Sequence, residues 1–124
     1  MLNSIAVSPY PGKFSPIPFV GELTEQLAKA SEIGFDAVEL HARAPEDVPP
    51  EILNPLLSRY DLKVSAFAVG RTFTTDGLCF IDPDAAVRHA LLERMNAFSQ
   101  RAAELGAAIF VGYVRGVVSE DPAQ

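Results

Sequence analysis

Glu32-Ile-Gly-Phe-Asp-Ala-Val-Glu-Leu-His41 ends a helical pattern, turns at Gly34 and runs on as a short strand. From Ala37 to His41 the residues alternate: Ala37, Glu39 and His41 point one way, Val38 and Leu40 the other. The same arrangement of helix end, tight turn, strand and polar residue returns twice. It is seen in Tyr60-Asp-Leu-Lys-Val-Ser-Ala-Phe-Ala-Val-Gly-Arg71 and in Glu104-Leu-Gly-Ala-Ala-Ile-Phe-Val-Gly-Tyr-Val-Arg115. Sequential strand–helix units of this kind force a parallel sheet, because each helix returns the chain to the same edge in a right-handed crossover. The fold class expected is therefore α/β. The strand ends that carry His41, Arg43, Arg71 and Arg115 should emerge on one rim, where parallel α/β folds bind ligands.

Outward from these repeats, Ser4 to Ser8 reads as a first strand. Residues 9 to 21 hold Pro9, Pro11, Gly12, Pro16, Pro18 and Gly21, a density that excludes a regular element. A helix is expected from about Glu22 to Ile33, with Leu23, Leu27 and Ala30 on one face and Gly34 as its left-handed stop. Pro49 and Pro50 open a second helix carrying Ile52, Leu53, Leu56, Leu57 and Tyr60 and ending near Asp61. Pro55 would remove a backbone donor inside it unless the true start lies at Asn54. Lys63 to Val69 is an apolar strand suited to burial on both faces. Gly70 to Ile81 reads as a long loop. Asp82 then caps the longest helix, with Pro83 at its first position and a stripe of Val87, Leu91, Met95, Phe98, Ala102 and Leu105. Gly106 ends it, Ala108 to Val114 forms strand four, and Val117 to Gln124 reads as a frayed polar tail.

A barrel and an open doubly wound sheet differ in where polar residues can sit. Strands of an open sheet are covered by helices on both faces, whereas a barrel strand turns one face to a lumen that accepts polar groups; Glu39 and His41 favour the lumen. Neither Gly-x-Gly-x-x-Gly nor Gly-Lys-Ser/Thr follows the first strand, so no nucleotide cradle is indicated. A complete eight-stranded barrel takes about 250 residues. With 124 residues, four strands and three helices, the expectation is half of a TIM barrel in a single truncated domain spanning 1–124. Such a half would expose its lumen face and two edge strands, so either a homo-oligomer covering them or a longer product is expected.

Composition narrows the function classes. Ten Lys+Arg against sixteen Asp+Glu give a net charge of −6, which opposes binding to nucleic acid or to an anionic membrane surface. No apolar run approaches the roughly 20 residues that span a bilayer, and Met1-Leu2-Asn3-Ser4 does not read as the start of a signal peptide. Cys79 alone cannot form an internal disulfide, so a reducing cytoplasmic location is expected.

Gly34-Phe-Asp-Ala-Val-Glu-Leu-His41, Asp82-Pro-Asp with its long helix, Leu105-Gly-Ala-Ala-Ile-Phe-Val-Gly112 and Arg115-Gly116 together resemble the sugar phosphate isomerase/epimerase family, the xylose isomerase-like TIM barrels. The resemblance covers nearly all of this chain but only the amino-terminal half of such a family member. It implies isomerisation or epimerisation of a sugar or sugar phosphate, with a divalent metal (Mn, Mg or Zn) polarising substrate oxygens and carboxylates moving a proton. The family's metal ligands lie mainly on later strands, beyond Gln124. Glu39 and His41 are the only local pair of suitable types, and two ligands do not make a site.

Glu39 reads either as a lumen carboxylate holding a Lys, an Arg or a metal-bound water, or as a structural charge satisfied by neighbours. His41 could bind substrate hydroxyls or carry a proton, or be a plain rim histidine. Arg71 and Arg115 could bind an anionic sugar or phosphate, or pair with Asp76 or Glu120. His89 should be solvated, and Cys79, with no neighbouring His or Lys, should be a small apolar filler. Tyr10, Phe14, Phe19 and Phe73 could wall a sugar site, but read better as loop anchors. The leading reading is half of a metal-dependent sugar isomerase or epimerase, inactive on its own, with Glu39, His41, Arg71 and Arg115 as substrate contacts. The rival is a non-catalytic half-barrel acting as a dimeric or partner-binding module. A repair nuclease on the same fold would need more than two histidines and a basic face.

Overall fold

Short branched strands alternate with amphipathic helices, and the computed structural model, which describes residues 1–10 and 17–118, forms them in the order the repeats require. The elements are β1 (Ser4–Val7), α1 (Leu23–Ile33), β2 (Ala37–His41), α2 (Pro50–Tyr60), β3 (Lys63–Ala68), α3 (Arg71–Asp76), α4 (Ala85–Leu105) and β4 (Ala108–Phe110). Short 3-10 turns cover Pro45–Asp47 and Gly112–Arg115. The four strands make one sheet in the order β1-β2-β3-β4, and each neighbouring pair is parallel. With right-handed crossovers all advancing in one direction, the helices fall on one face. The fold is α/β, with the strand order and direction of half a (β/α) barrel.

The helix-covered face holds the core. Val7, Val38, Leu40, Val64 and Phe67 from the strands pack with Leu27, Ala30, Leu53, Leu57, Leu91, Phe98 and Ala102 from the helices. The Phe67 and Phe98 rings meet at 5.7 Å and 53°, a tilted pairing that ties β3 to α4. Among the described residues no helix is long and apolar enough to cross a membrane.

Several expectations need correction. Pro55 lies inside an unbroken α2 that begins at Pro50. The bond it forfeits would have gone to the carbonyl of Glu51; both residues are exposed, so water can take the donor's place. The stretch read as a loop from Gly70 to Ile81 contains α3, closed by Gly77 at φ 71°. The long helix is capped by Asp84 rather than Asp82: Asp84 Oδ1 accepts from the Ala86 N–H at 2.8 Å, while Asp82 Oδ1 accepts from the Asp84 N–H at 2.8 Å. Strand four stops at Phe110, where Gly112 at φ 55° leads into the 3-10 turn. Phe14, Glu120 and most of the expected polar tail lie outside the described residues.

One irregularity decides which side chains reach the other face. Between β2 and β3 the register runs Val38↔Val64 and then Glu39↔Ala66, so Ser65 is an extra residue, a β-bulge. Its Oγ donates to the Val38 carbonyl at 3.2 Å and lies 2.6 Å from Ser4 Oγ of β1. Past the bulge, Phe67 pairs with Leu40 on the core side and Ala68 with His41 on the opposite side.

Candidate functional site

The alternation of β2 sends Glu39 and His41 away from the core, and both arrive on the face without helices, near the carboxyl ends of the strands. His41 Nε2 and Glu39 Oε1 are 2.7 Å apart, with side chains 18% and 30% exposed. Around them the sheet is small: Ala6 and Ala66 flank Glu39 in register, and Ala68 flanks His41. Phe110 follows beside Ala68 and is 54% exposed. The polar pair therefore stands among small side chains, with Ala66 and Ala68 buried and Ala6 half-buried. An ionised carboxylate can only accept, so this contact suits the imidazole tautomer with its hydrogen on Nε2.

A buried relay fixes the backbone beneath the pair. Gln26, on the stripe of α1, is fully buried. Its Oε1 accepts from the Ser8 N–H at 3.1 Å, and its Nε2 donates to the Ser8 carbonyl at 2.7 Å and to the Gly21 carbonyl at 3.0 Å. Ser8 Oγ in turn donates to the His41 carbonyl at 2.8 Å. The end of β1, the start of α1 and the end of β2 are thus joined by one network. The sequence carried a signal for it, since Gln26 occupies an apolar position between Leu23 and Ala30.

A second polar cluster braces the rim. Arg43, just after β2, binds Asp47 at 3.2 Å and Asp76 at 3.5 Å, and Arg94 of α4 also binds Asp76. The hydrogen bond and charge of Asp47, reinforced by Asp76, raise the Arg43 pKa above its ordinary value. Thr72 Oγ1 donates to the Arg43 carbonyl at 2.6 Å and secures α3 to the same loop. These pairs consume their own charge, so the cluster is a brace rather than an open anion site.

Arg71 opens α3 and Arg115 ends the 3-10 turn after β4, with Arg115 exposed. They share the rim with His41 by topology. His89 is exposed and lies 3.4 Å from Glu93 on the same helix. Cys79 is buried and unpaired. Phe19 and Phe73 pack against the core, while Tyr10 is exposed. Arg101 of α4, unforeseen as a buried residue, donates to Asn54 at 3.0 Å and Glu104 at 2.9 Å, and its Nε has no partner.

Among the described residues there is no group of three or more His, Cys, Asp and Glu side chains able to hold a metal. The described residues of one copy therefore do not by themselves supply the ligand set for the divalent metal that the sugar isomerase resemblance implies. Two open hollows, one around Leu2, Ser4 and Ile33 and the other around Asp36, Asp61 and Lys63, share Leu2, Gly34 and Phe35 and lie at the amino-terminal ends of the strands, away from the polar pair. Ligands of parallel α/β sheets gather at the opposite end, so these hollows are left out of the site. A scan of the chain against protein-family models finds no match, and a search of curated proteins finds none either, so the site is read from its own geometry.

Proposed function

We propose that this chain is the amino-terminal half of a sugar or sugar phosphate isomerase or epimerase. Its Glu39–His41 pair would contact substrate hydroxyls and pass a proton, while Arg71 and Arg115 at the rim would attract an anionic group. The observation supporting this is the hydrogen-bonded carboxylate–imidazole pair, flanked by alanines, at the carboxyl ends of parallel strands. Glu39 would orient the ring for that transfer. The proposed setting is the cytoplasm. The direct test is binding of a panel of aldoses, ketoses and their phosphates to the folded chain, measured by titration calorimetry with manganese or magnesium present. Affinity that falls by at least tenfold in Glu39→Gln and His41→Asn supports the reading. No binding of any of these compounds by the folded protein counts against it.

The second reading, a non-catalytic half-barrel that binds a partner, draws on a different observation. Phe110, Val111 and Tyr113 stand exposed at and beyond the β4 edge, and Leu2 is exposed beside β1. Capture of another polypeptide, with no sugar turnover, would favour it.

A further inference from the structure

Strand β2 ends at His41, and its ladder with β1 decides what holds that last residue. In a sheet the successive residues of a strand turn their N–H and C=O groups to one neighbour and then to the other. The Ala37 N–H donates to the Asn3 carbonyl at 3.1 Å, so the backbone groups of Glu39 and His41 face β1 as well. The register Val7↔Leu40, continued by one residue, sets Ser8 opposite His41. The ladder donor for the His41 carbonyl is then the N–H of residue 9. Residue 9 is proline and has no N–H. The Ser8 hydroxyl donates to that carbonyl instead, at 2.8 Å, and accepts from the Tyr10 N–H at 3.1 Å. By the same alternation the Ser8 backbone faces away from β2, where the Gln26 amide meets both its N–H and its C=O as a neighbouring strand would. Ser8 is thus fixed on both sides, and it is fully buried.

We propose that Ser8 is the positioning residue of the Glu39–His41 pair: its hydroxyl replaces the ladder donor that Pro9 lacks, fixes the end of β2 and so holds the His41 ring within hydrogen-bonding reach of Glu39. The role in ligand binding rests on the reading of that pair as the substrate contact. The ring belongs to the residue whose carbonyl Ser8 holds, and His41 Nε2 lies 2.7 Å from Glu39 Oε1. A displacement of about 0.5 Å is enough to spoil a contact of this kind. Glu39 sits two residues back, opposite Ala6 inside the ladder, so loosening of the strand end moves one partner and leaves the other in place. On its far side His41 stays paired with Ala68 of β3, which confines the effect of losing the hydroxyl to local geometry. The dipeptide Ser8-Pro9 therefore acts as a unit: the proline ends β1, and the serine supplies the bond that the proline removes. Gln26 acts one step further out, by orienting Ser8.

The chain has two histidines, His41 and the exposed His89 of α4, so NMR reads the His41 ring against an internal control. The wild type should show a His41 ring N–H proton protected from exchange with water, and Glu39→Ala should lose it. Ser8→Ala should lose it too, with the His89 signals unchanged and the fold retained by circular dichroism. Combining Ser8→Ala with Pro9→Ala gives residue 9 an N–H and should bring the protected proton back. A Ser8→Ala protein that keeps the proton, a wild type without it, or a double variant that fails to recover it would each overturn the proposal. If Ser8→Ala does not fold, recovery of both fold and proton in the double variant is the confirming result, and its absence the refuting one. Titration calorimetry with the panel of sugars and sugar phosphates separates this role from the reading of the site. A wild type with the protected proton but no binding counts against that reading alone. Where the wild type binds, Ser8→Ala should weaken affinity by about two- to tenfold, the worth of one hydrogen bond, and equal affinity would overturn the positioning role.

Discussion

Replacing Gln26 with methionine keeps the volume of the side chain and removes its polar functions, which isolates the relay beneath His41. Three hydrogen bonds are lost. The Gly21 carbonyl belongs to an exposed residue and can turn to water, but Ser8 is fully buried, so its N–H and C=O are left without the partner that satisfied both. Each orphaned group costs about 1–3 kcal/mol, and the added burial of an apolar side chain returns about 1 kcal/mol. The expected loss is about 1–5 kcal/mol, with a middle value of about 3 kcal/mol. For a domain of this size that middle value should lower Tm by about 11 °C. Urea unfolding followed by circular dichroism reads the change directly, with an unchanged m-value showing that the same surface is exposed on unfolding. A loss below about 1 kcal/mol would refute the argument, because it would mean that the Ser8 peptide groups find other partners and that Gln26 is merely a core filler.

Three other substitutions test separate parts of the fold. Phe67→Ala removes a fully buried ring packed at a tilt against Phe98 and should destabilise by about 3–5 kcal/mol, measured by the same unfolding titration. Arg101→Met should change stability by less than about 1 kcal/mol or raise it: the guanidinium is buried with Nε unpartnered, while Asn54 and Glu104 are exposed and can rehydrate. Gly116→Ala should cost at least about 2 kcal/mol. The position has φ 89°, and an added Cβ would lie 2.4 Å from Ile81 Cγ1, so thermal unfolding should show a clear drop and the Cys79 thiol should react faster with a maleimide probe.

Local chemistry made much of this protein legible before any coordinates. The turns at Gly34 and Gly106, the apolar stripe from Leu91 to Ala102 and the threefold return of one strand unit led to a parallel α/β sheet with helices on one face, because period and turn residues act over a few positions. The alternation in β2 likewise placed Glu39 and His41 on one side of their strand. The alanines that β3 sets beside them were decided elsewhere, by the extra residue Ser65, which shifts Ala66 and Ala68 opposite the pair. A uniform reading of β3 cannot show that shift, since bulges depend on how two distant strands pair. The brace of Arg43, Asp76 and Arg94 and the Gln26 relay have the same origin. Sequence distance says nothing about such contacts; burial assembles them when the helices dock and every enclosed polar group must find a partner.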